Sequence, residues 1–358
     1  MSVLLDLKPV DIRFYEARLR GFLPDRMIDI HTHVWLDRLC RKRAADGRSV
    51  TWPSRVARDQ SLEDLEETYR LLFPGKAVIP LMFTNIVEEL DPQNAYVADC
   101  ARRSGYPALL FTHPEWPADR LAQKLDEGGF LGAKSYLSYA PAYIPGNEVR
   151  IFDFFPPHQL EVLDRRGAIM MLHVPRPGCF RDPVNLAQLL EIEQRYPRIR
   201  VIVAHVGRAY CPEDIGDAFD RLAETRSMQF DFSANTNETV FDRLIQAVGP
   251  ARILFGSDMP ILRMRMRRIC EHGRYVNLVP RGLYGDVSGD PNMRDVDPPE
   301  SDAFTFFMYE EIDAFRRAAE RNGLTKQDRE AIFHDNAEAV LRAAGWPGRG
   351  SAAAKGTA

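Results

Sequence analysis

The sequence has few cysteines, and none of them forms a C-x-x-C pair. Five cysteines are scattered along the 358 residues, which disfavours a disulfide framework and a structural zinc knot. No apolar run approaches the roughly 18 residues that a membrane span needs. The N-terminus has no basic stretch followed by a long apolar core, so we expect no signal peptide. These absences predict a reduced, cytoplasmic protein that does not enter a membrane.

An excess of charge of one sign is also lacking. Lys and Arg number 47 against 51 Asp and Glu, which gives a net charge of −4. Neither nucleic acid nor an anionic membrane surface is therefore an expected partner. No G-x-G-x-x-G motif or P-loop follows an apolar run, which disfavours a doubly wound open sheet. The balance of 45 % hydrophobic and 27 % charged residues is typical of a globular domain. The sequence leaves open whether the protein forms a homo-oligomer.

Eight short apolar runs alternate with amphipathic helical segments along most of the chain. Continuous rather than alternating hydrophobicity is typical of strands that are buried on both faces of a parallel sheet. Strand and helix alternating eight times predicts an α/β fold, the (β/α)8 TIM barrel. The runs lie at 27–30, 77–83, 108–111, 130–134, 168–172, 199–204, 228–232 and 252–255.

Several segments fall outside this repeat. We expect an N-terminal helix over 8–25, and two long insertions follow strands one and eight, at about 36–74 and 261–301. Among the helices between strands, the clearest are expected from 61 onwards and over 182–195 and 213–224. Two further helices close the chain. The boundaries predict one domain, 1–347, and a disordered tail, 348–358.

Polar residues stand where the predicted strands end, which is where barrel enzymes carry their catalytic groups. His31 and His33 end strand one, and residues i and i+2 of a strand point the same way, so both imidazoles face the barrel axis. A single strand-end histidine is more often a hydrogen-bonded bystander than a ligand. Five such ends with zinc-type ligands nevertheless indicate a metal site. Strands four, five, six and eight end at Lys134, His173, His205 and Asp258.

This order of residues resembles the amidohydrolase superfamily. The local sequence motifs are most similar to those of its amidohydrolase-related group, which includes metal-dependent hydrolases, lactonases and aminocarboxymuconate-semialdehyde decarboxylase-like enzymes. A lone His-x-His is a weak signal, whereas the five-strand order together with Gly-Ser-Asp-x-Pro is specific. The resemblance spans residues 26 to about 343 without the two insertions. The segments that carry it are 29–33, 204–207, 254–260 and 333–338.

The resemblance implies one divalent metal, commonly zinc with manganese or iron(II) as alternatives, held by His31, His33, His173 and Asp258. Such an ion lowers the pKa of a water molecule bound to it to about 7. Asp258 would accept the proton of that water, and His205 would stabilise or protonate the group that develops opposite. Relatives with two metals use a carboxylated lysine to bridge the two ions, and Lys134 is the candidate for that role here. With one metal, which we favour, Lys134 is a cation that faces the substrate.

Aromatic and basic residues that follow the same strand ends are expected to line the pocket. Guanidinium groups bind carboxylates through two hydrogen bonds, so a small anionic substrate is favoured. Each arginine taken alone is more often part of a surface ion pair. The expected substrate-binding residues are Trp35, Trp116, Tyr136, Arg176, Arg208 and Arg263, with Tyr139 and Arg265 nearby.

These observations favour a hydrolase that attacks a carbonyl-type bond, namely a lactone, amide, ester or activated C–C bond. The alternative is a non-oxidative, metal-dependent decarboxylase of an unsaturated or aromatic carboxylic acid. Decarboxylases of the group often carry Glu where this chain has Arg208, which favours hydrolysis. A third reading is a barrel that has lost catalysis and acts as a binding protein. The retention of every ligand type disfavours it.

Overall fold

Eight parallel strands, in chain order, line the barrel in a computed structural model that describes residues 5–40 and 55–348. Strands β3 to β8 form one sheet, and β1 pairs with β2. Parallel bridges from Thr32 to Met259 and from Met82 to Ala108 join the two sheets at both edges, so the predicted (β/α)8 barrel is confirmed. The strands are β1 (Arg26–His33), β2 (Ala77–Phe83), β3 (Leu110–Phe111), β4 (Gly132–Lys134), β5 (Ile169–Leu172), β6 (Arg200–Val203), β7 (Gln229–Asp231) and β8 (Ile253–Leu254).

Helices follow the strands and cover the sheet, and four of them begin at a residue whose side chain accepts a hydrogen bond from the first turn. The Ser61 side chain accepts a hydrogen bond from Asp64 N, and Asp182 caps the next predicted start; both satisfy free N–H groups at a helix start. The helices are α1 (Pro9–Phe14), α2 (Leu62–Leu72), α3 (Leu90–Ser104), α4 (Ala118–Gly128), α5 (Pro157–Arg166), α6 (Pro183–Arg195), the single left-handed turn α7 (His205–Arg208), α8 (Ala218–Leu222), α9 (Glu238–Val248), α10 (Phe307–Arg321), α11 (Lys326–Glu330) and α12 (Asn336–Ala343).

The prediction of a continuous helix over 213–224 is wrong. That stretch holds a 3₁₀ turn at Pro212–Asp214 and the short α8. Between them Gly216 has φ +56°, a left-handed conformation that interrupts a right-handed helix. The N-terminal helix is also interrupted, because α1 continues as a π-helical turn over Tyr15–Leu19.

The insertion after strand eight forms a small sheet of its own. It consists of β9 (Arg267–Glu271), β10 (Arg274–Pro280) and β11 (Met293–Val296), in the order β11-β10-β9. Strands β9 and β10 are antiparallel. Their two-residue turn has φ +52° at His272 and +71° at Gly273, as a tight hairpin requires. The Arg-rich insertion is thus an ordered element at the mouth side of strand eight.

A disulfide joins this hairpin to the barrel. Cys270 of β9 is bonded to Cys211, with a Cα–Cα distance of 5.9 Å. The sequence disfavoured a disulfide framework because the five cysteines are scattered, odd in number and without a C-x-x-C pair. That expectation is wrong for this pair, which is 59 positions apart, since the sulfur atoms meet only when the hairpin packs against the segment that follows β6.

An aromatic cluster fastens the C-terminal helices beneath β7 and β8. Phe315 of α10 stacks on Phe232 with ring centroids 4.2 Å apart, and Phe333 lies 5.1 Å from Phe255. Phe255 N donates to the Ile332 carbonyl at 3.1 Å. The closing helices therefore support the end of β8, the strand that leads into Asp258.

Two of the predicted segments, the first insertion and the C-terminal tail, lie partly outside the described residues. Residues 41–54 of the first insertion are outside them, and so is the predicted disordered tail apart from Gly348. The prediction of a single domain stays a prediction. Within the described part of the chain, no helix combines the length and the apolar character needed to cross a membrane.

Candidate metal centre

Two histidines of β1 and an aspartate after β8 meet at the carboxyl end of the barrel. The ligand atoms of His31, His33 and Asp258 lie within 4.8 Å of one another, and all three residues are buried. Asp258 N donates to the His31 carbonyl at 2.7 Å, and His33 N donates to the Met259 carbonyl at 2.9 Å. The seam between β1 and β8 therefore joins side chains that are 225 residues apart in sequence.

Asp29, two residues before His31, fixes both sides of this seam. Its fully buried carboxylate accepts hydrogen bonds from Ser257 N at 2.8 Å, Tyr69 Oη at 2.7 Å and His31 N at 3.2 Å. Burial raises its pKa to about 7. Asp29 thus holds the backbone of β1 against the segment that carries Asp258, and acts as a structural residue of the site.

Hydrogen bonds on the outer side of both rings set the protonation of His31 and His33. His31 Nδ1 lies 2.9 Å from Asp231 Oδ2, and His33 Nδ1 lies 2.8 Å from the Thr84 carbonyl. A carbonyl or carboxylate oxygen only accepts, so Nδ1 carries the hydrogen in each ring. Burial lowers the pKa of both imidazoles, which favours the neutral form. Each Nε2 then presents a lone pair to the barrel axis.

These lone pairs converge on a carboxylate. Asp258 Oδ1 lies 3.3 Å from His31 Nε2 and 3.1 Å from His33 Nε2. Three acceptor atoms at this spacing repel one another unless a proton or a cation lies among them. Two imidazole nitrogens and a carboxylate oxygen are also a donor set that suits Zn²⁺. The residues present therefore fit a divalent cation.

Lys134 points into the same group from β4. Its Nζ lies 2.8 Å from His31 Nε2, to which it donates, and 4.4 Å from the centre of the Phe83 ring. Burial lowers its pKa to about 8. The amine satisfies His31 but leaves the His33–Asp258 contact without a donor among the described residues. The predicted position of Lys134 beside the metal ligands is consistent with both the one-metal and the two-metal expectation.

His205 offers a further acceptor. Its Nδ1 lies 3.2 Å from the Ser233 carbonyl and 2.9 Å from Ser233 Oγ, so Nδ1 carries the hydrogen and Nε2 the lone pair. Burial lowers its pKa to about 4, and its ring centroid lies 4.8 Å from that of His31. In this form His205 accepts a proton, and its expected role of stabilising or protonating the group that develops opposite stays a prediction.

Asp231, which the sequence analysis missed, connects the two histidines. One carboxylate oxygen accepts from His31 Nδ1, and the other accepts from Ser233 Oγ at 2.5 Å and from His205 N at 2.9 Å. Asp231 is the last residue of β7. The strand-end rule that found the other residues therefore pointed to it too, although strand seven was not considered.

His173 lies on the far side of His205. Its ring centroid is 5.3 Å from that of His205 and 4.6 Å from that of Tyr136. It is not among the three residues whose ligand atoms lie within 4.8 Å of one another. Its buried Nδ1 has no hydrogen-bond partner among the described residues. Burial, with the charge of Arg208, holds its pKa well below the usual value, so it too is a neutral acceptor.

The backbone beside the site is left-handed at two strand ends. His205, Val206, Gly207 and Arg208 have φ of +56°, +48°, +60° and +62°, and Asp258 has φ +55°. A left-handed conformation costs a non-glycine residue about 1–2 kcal/mol. A Cβ on Gly207 would lie 2.0 Å from the Phe180 ring. Such conformations occur at functional sites because the surrounding structure holds them.

The predicted aromatic residues differ in their surroundings. Tyr136 contacts the His173 ring, as described above. Trp35 is buried and its Nε1 donates to the Arg58 carbonyl at 2.9 Å, and Trp116 packs beneath the Arg120 guanidinium at 4.6 Å. The structure therefore brings Tyr136 to the site, while both tryptophans contact the segments around it.

The predicted arginines also separate into two groups. Arg263 donates to Gln60 Oε1 at 2.7 Å, and burial lowers its pKa to about 10. Arg265 forms a buried ion pair with Asp11 at 2.7 Å, and Arg176 donates to the Glu148 carbonyl at 3.0 Å. Arg208, by contrast, lies close enough to His173 for its charge to lower the pKa of that imidazole.

Comparisons with known proteins identify the family of the chain. A family model described as amidohydrolase matches residues 28–276. No curated protein sequence matches the chain significantly. An amidohydrolase from Burkholderia multivorans with bound zinc superposes with a TM-score of 0.58 and 16 % identity, covering 88 % of this chain and 99 % of that chain.

Two further solved structures share the fold. A putative 2-pyrone-4,6-dicarboxylic acid hydrolase from Pseudomonas putida has a TM-score of 0.55 and 16 % identity, with 90 % of this chain and 99 % of that chain covered. For 5-carboxyvanillate decarboxylase from Sphingomonas paucimobilis the values are 0.53 and 12 %, with 89 % and 99 % covered. Because the family match spans more than half of the sequence, the chain belongs to the amidohydrolase family of metal-dependent enzymes.

Proposed function

We propose that the protein is a metal-dependent hydrolase that adds water across a carbonyl-type bond of a small carboxylic acid. The bond is a lactone, amide, ester or activated C–C bond. The contact between His33 Nε2 and Asp258 Oδ1 supports this most strongly, because two acceptors lie 3.1 Å apart and no described residue donates between them. Such an arrangement suits a bound cation.

One divalent cation would be held by His31, His33 and Asp258, with His173 as the fourth ligand. The unpartnered Nδ1 of His173 supports its inclusion, and the zinc-bound relative from Burkholderia multivorans supports zinc, with manganese or iron(II) as alternatives. When bound, the cation polarises the substrate carbonyl and makes water more acidic.

The protein's own groups then handle the proton. Asp258 Oδ2 accepts it from the attacking water and returns it to the leaving atom as the bond to the carbonyl carbon breaks. His205 Nε2 is a second acceptor, which orients the water. Lys134 Nζ, 2.8 Å from His31, donates to the negative charge that develops on the carbonyl oxygen.

A non-oxidative decarboxylase is the alternative, and the fold shared with 5-carboxyvanillate decarboxylase supports it. The residue after Gly207 is Arg208, a guanidinium that cannot protonate a carbanion at neutral pH. This observation favours hydrolysis over decarboxylation.

Metal content tests the first half of the proposal. Purified protein analysed by plasma emission spectroscopy should carry close to one divalent ion per chain. The double variant His31→Ala, His33→Ala should carry almost none, because two of the ligands are lost. His272→Asn is the matched control, since this histidine lies in the β9–β10 turn and Asn tolerates its positive φ. Full metal occupancy in the double variant would contradict the ligand assignment.

Product analysis tests the reaction. Metal-loaded protein is screened with carboxylated lactones and esters and with aromatic carboxylic acids, while acid release and carbon dioxide release are followed separately. We expect acid release without carbon dioxide, and a loss of at least about 100-fold in kcat for Asp258→Asn, because a positioned base is removed. Carbon dioxide from an aromatic acid would instead establish the decarboxylase.

A further inference from the structure

An arginine of the insertion hairpin lies among aromatic rings beside the metal centre. The guanidinium of Arg268, on β9, is 4.9 Å from the centre of the Tyr210 ring, 4.5 Å from that of Tyr275 and 4.4 Å from that of Phe307. Its Nε donates to Asn277 Oδ1 at 2.8 Å, and Nη1 donates to the Ala234 carbonyl. The group is held in one orientation, and no described residue bonds to Nη2.

Arg208, after β6, is held in a similar way. Its Nη1 donates to the carbonyls of Val174 and Pro175, both at 3.2 Å. Within the described ranges, no carboxylate oxygen lies within 4.0 Å of Arg208 or Arg268. Arg265, by contrast, contacts Asp11 at 2.7 Å. Two partly buried cations thus have no anion of their own.

Both arginines interact with the same two tyrosines. Each acts electrostatically on Tyr210 and Tyr275, whose ring centroids are 4.9 Å apart. The Tyr210 ring lies 6.4 Å from that of His205. Arg208 also acts on His173, and Arg268 on Asp258. Val174, whose carbonyl accepts from Arg208, directly follows His173, and Tyr210, which contacts Arg268, lies beside His205, so each guanidinium lies next to a residue that borders the proposed metal centre.

Two acidic groups act on Arg268 from beyond ion-pair distance. These are Asp258, a proposed metal ligand, and Glu311. Glu311 is fully buried, and its burial raises its pKa well above the usual value, which favours the uncharged acid. Neither group therefore neutralises the guanidinium.

The disulfide fixes the distance between the two elements. Cys211 directly follows Tyr210, and Cys270 lies two residues after Arg268. The covalent bond therefore ties the segment of Arg208 to the hairpin of Arg268. A rigid pair of donors binds an anion with less loss of conformational freedom than two mobile ones.

We propose that Arg208 and Arg268 together bind a carboxylate of the substrate, with the faces of Tyr210 and Tyr275 against its ring. This rests on the proposed function, since it assigns a substrate class to that same site. A planar guanidinium matches a planar carboxylate, and aromatic faces favour a flat substrate. The substrate is therefore an aromatic or unsaturated cyclic carboxylic acid.

Isothermal titration calorimetry of the metal-loaded protein with benzoate tests this, with benzamide as the uncharged control. We expect benzoate to bind at millimolar concentration or below and benzamide not to bind. Arg208→Gln and Arg268→Gln should each weaken benzoate binding at least about 10-fold, because a charged hydrogen-bond donor is removed. Arg267→Gln is the matched control, as Arg267 is exposed on the same strand and should bind like the wild type.

Arg268→Lys keeps the charge but not the planar fork, and should also bind benzoate more weakly. It serves in place of Arg268→Gln if that variant fails to fold by circular dichroism. Unchanged benzoate affinity in the arginine variants would overturn the proposal and assign benzoate to the cation alone. No benzoate binding by the wild type would overturn it too. Metal content is measured in parallel. A wild type that takes up no divalent cation but still shows arginine-dependent benzoate binding would refute the proposed function and leave the carboxylate site standing.

Discussion

Asp231 shows how one buried residue sets the chemical state of its neighbours. Its two oxygens face different histidines, His31 directly and His205 through the Ser233 hydroxyl. Both rings are thereby held with the hydrogen on Nδ1, so that the lone pair of each Nε2 faces the barrel axis, where it can bind a cation or accept a proton in place of the Lys134 hydrogen bond to His31. A carboxylate behind a metal-binding histidine also increases the basicity of the ligand.

Asp231→Asn should weaken zinc binding by about 10–100-fold, because the amide keeps the shape but loses the charge that orients His31. Competition with a chromogenic chelator measures the affinity. Asp220→Asn is the control, since that carboxylate is exposed and its contact with Arg243 is long, at 3.9 Å. If the Asp231 variant binds zinc as tightly as the wild type, Asp231 has no role in positioning His31.

At the scale of elements, the insertion after strand eight builds one wall of the site. Strands β9 and β10 carry Arg268 and Tyr275, and the hairpin meets the segment after β6 through Tyr210 and the Cys211–Cys270 bond. Barrel enzymes vary their loops around a constant ring of strands. We infer that this hairpin determines which acid the barrel accepts.

Cys270→Ser should therefore weaken benzoate binding by about 2–10-fold, the cost of ordering one or two side chains that the bond now holds. Its zinc content should not change, because no metal ligand lies on the hairpin. Reduction of the wild type with dithiothreitol should give the same affinity as the variant, and reduction of Cys270→Ser should have no further effect. Equal benzoate affinity before and after reduction would contradict the role of the disulfide.

At the scale of the whole molecule, the proposed metal lies on the seam that closes the barrel. Strands β1 and β8 meet there through few backbone hydrogen bonds, among them Ile30 N to the Phe255 carbonyl at 2.9 Å and Asp258 N to the His31 carbonyl at 2.7 Å. His31 and His33 come from one side of the seam and Asp258 from the other. A cation shared between them would bind the folded chain only.

Removing the metal should accordingly lower the thermal stability. A ligand at 100 times its Kd stabilises the folded state by about 2.7 kcal/mol, so chelation should lower Tm by several degrees in differential scanning calorimetry. The double variant His31→Ala, His33→Ala should show no response to the chelator. A wild-type Tm that does not respond either would mean that the cation does not connect the two strands.

Much of the barrel could be predicted from the local pattern of apolar and polar residues in the sequence. Each of the eight apolar runs contains or overlaps a strand, because a strand buried on both faces must be apolar along its length. The capping residues Ser61 and Asp182 marked two helix starts for an equally local reason. The helix predicted over 213–224 failed where Gly216 takes a left-handed conformation, which no periodicity reveals.

The sequence by itself determined the succession of strands and helices and the placement of His31, His33, Lys134 and Asp258 at strand ends, since both can be read from the local pattern of apolar and polar residues. Only the tertiary structure decided which arginine faces the site. Arg263 donates to Gln60 and Arg265 forms an ion pair with Asp11, and both partners belong to remote segments of the chain. The same holds for Asp231, Arg268 and the Cys211–Cys270 bond. Their roles depend on contacts between residues far apart in the chain, and such contacts exist only once the barrel has closed.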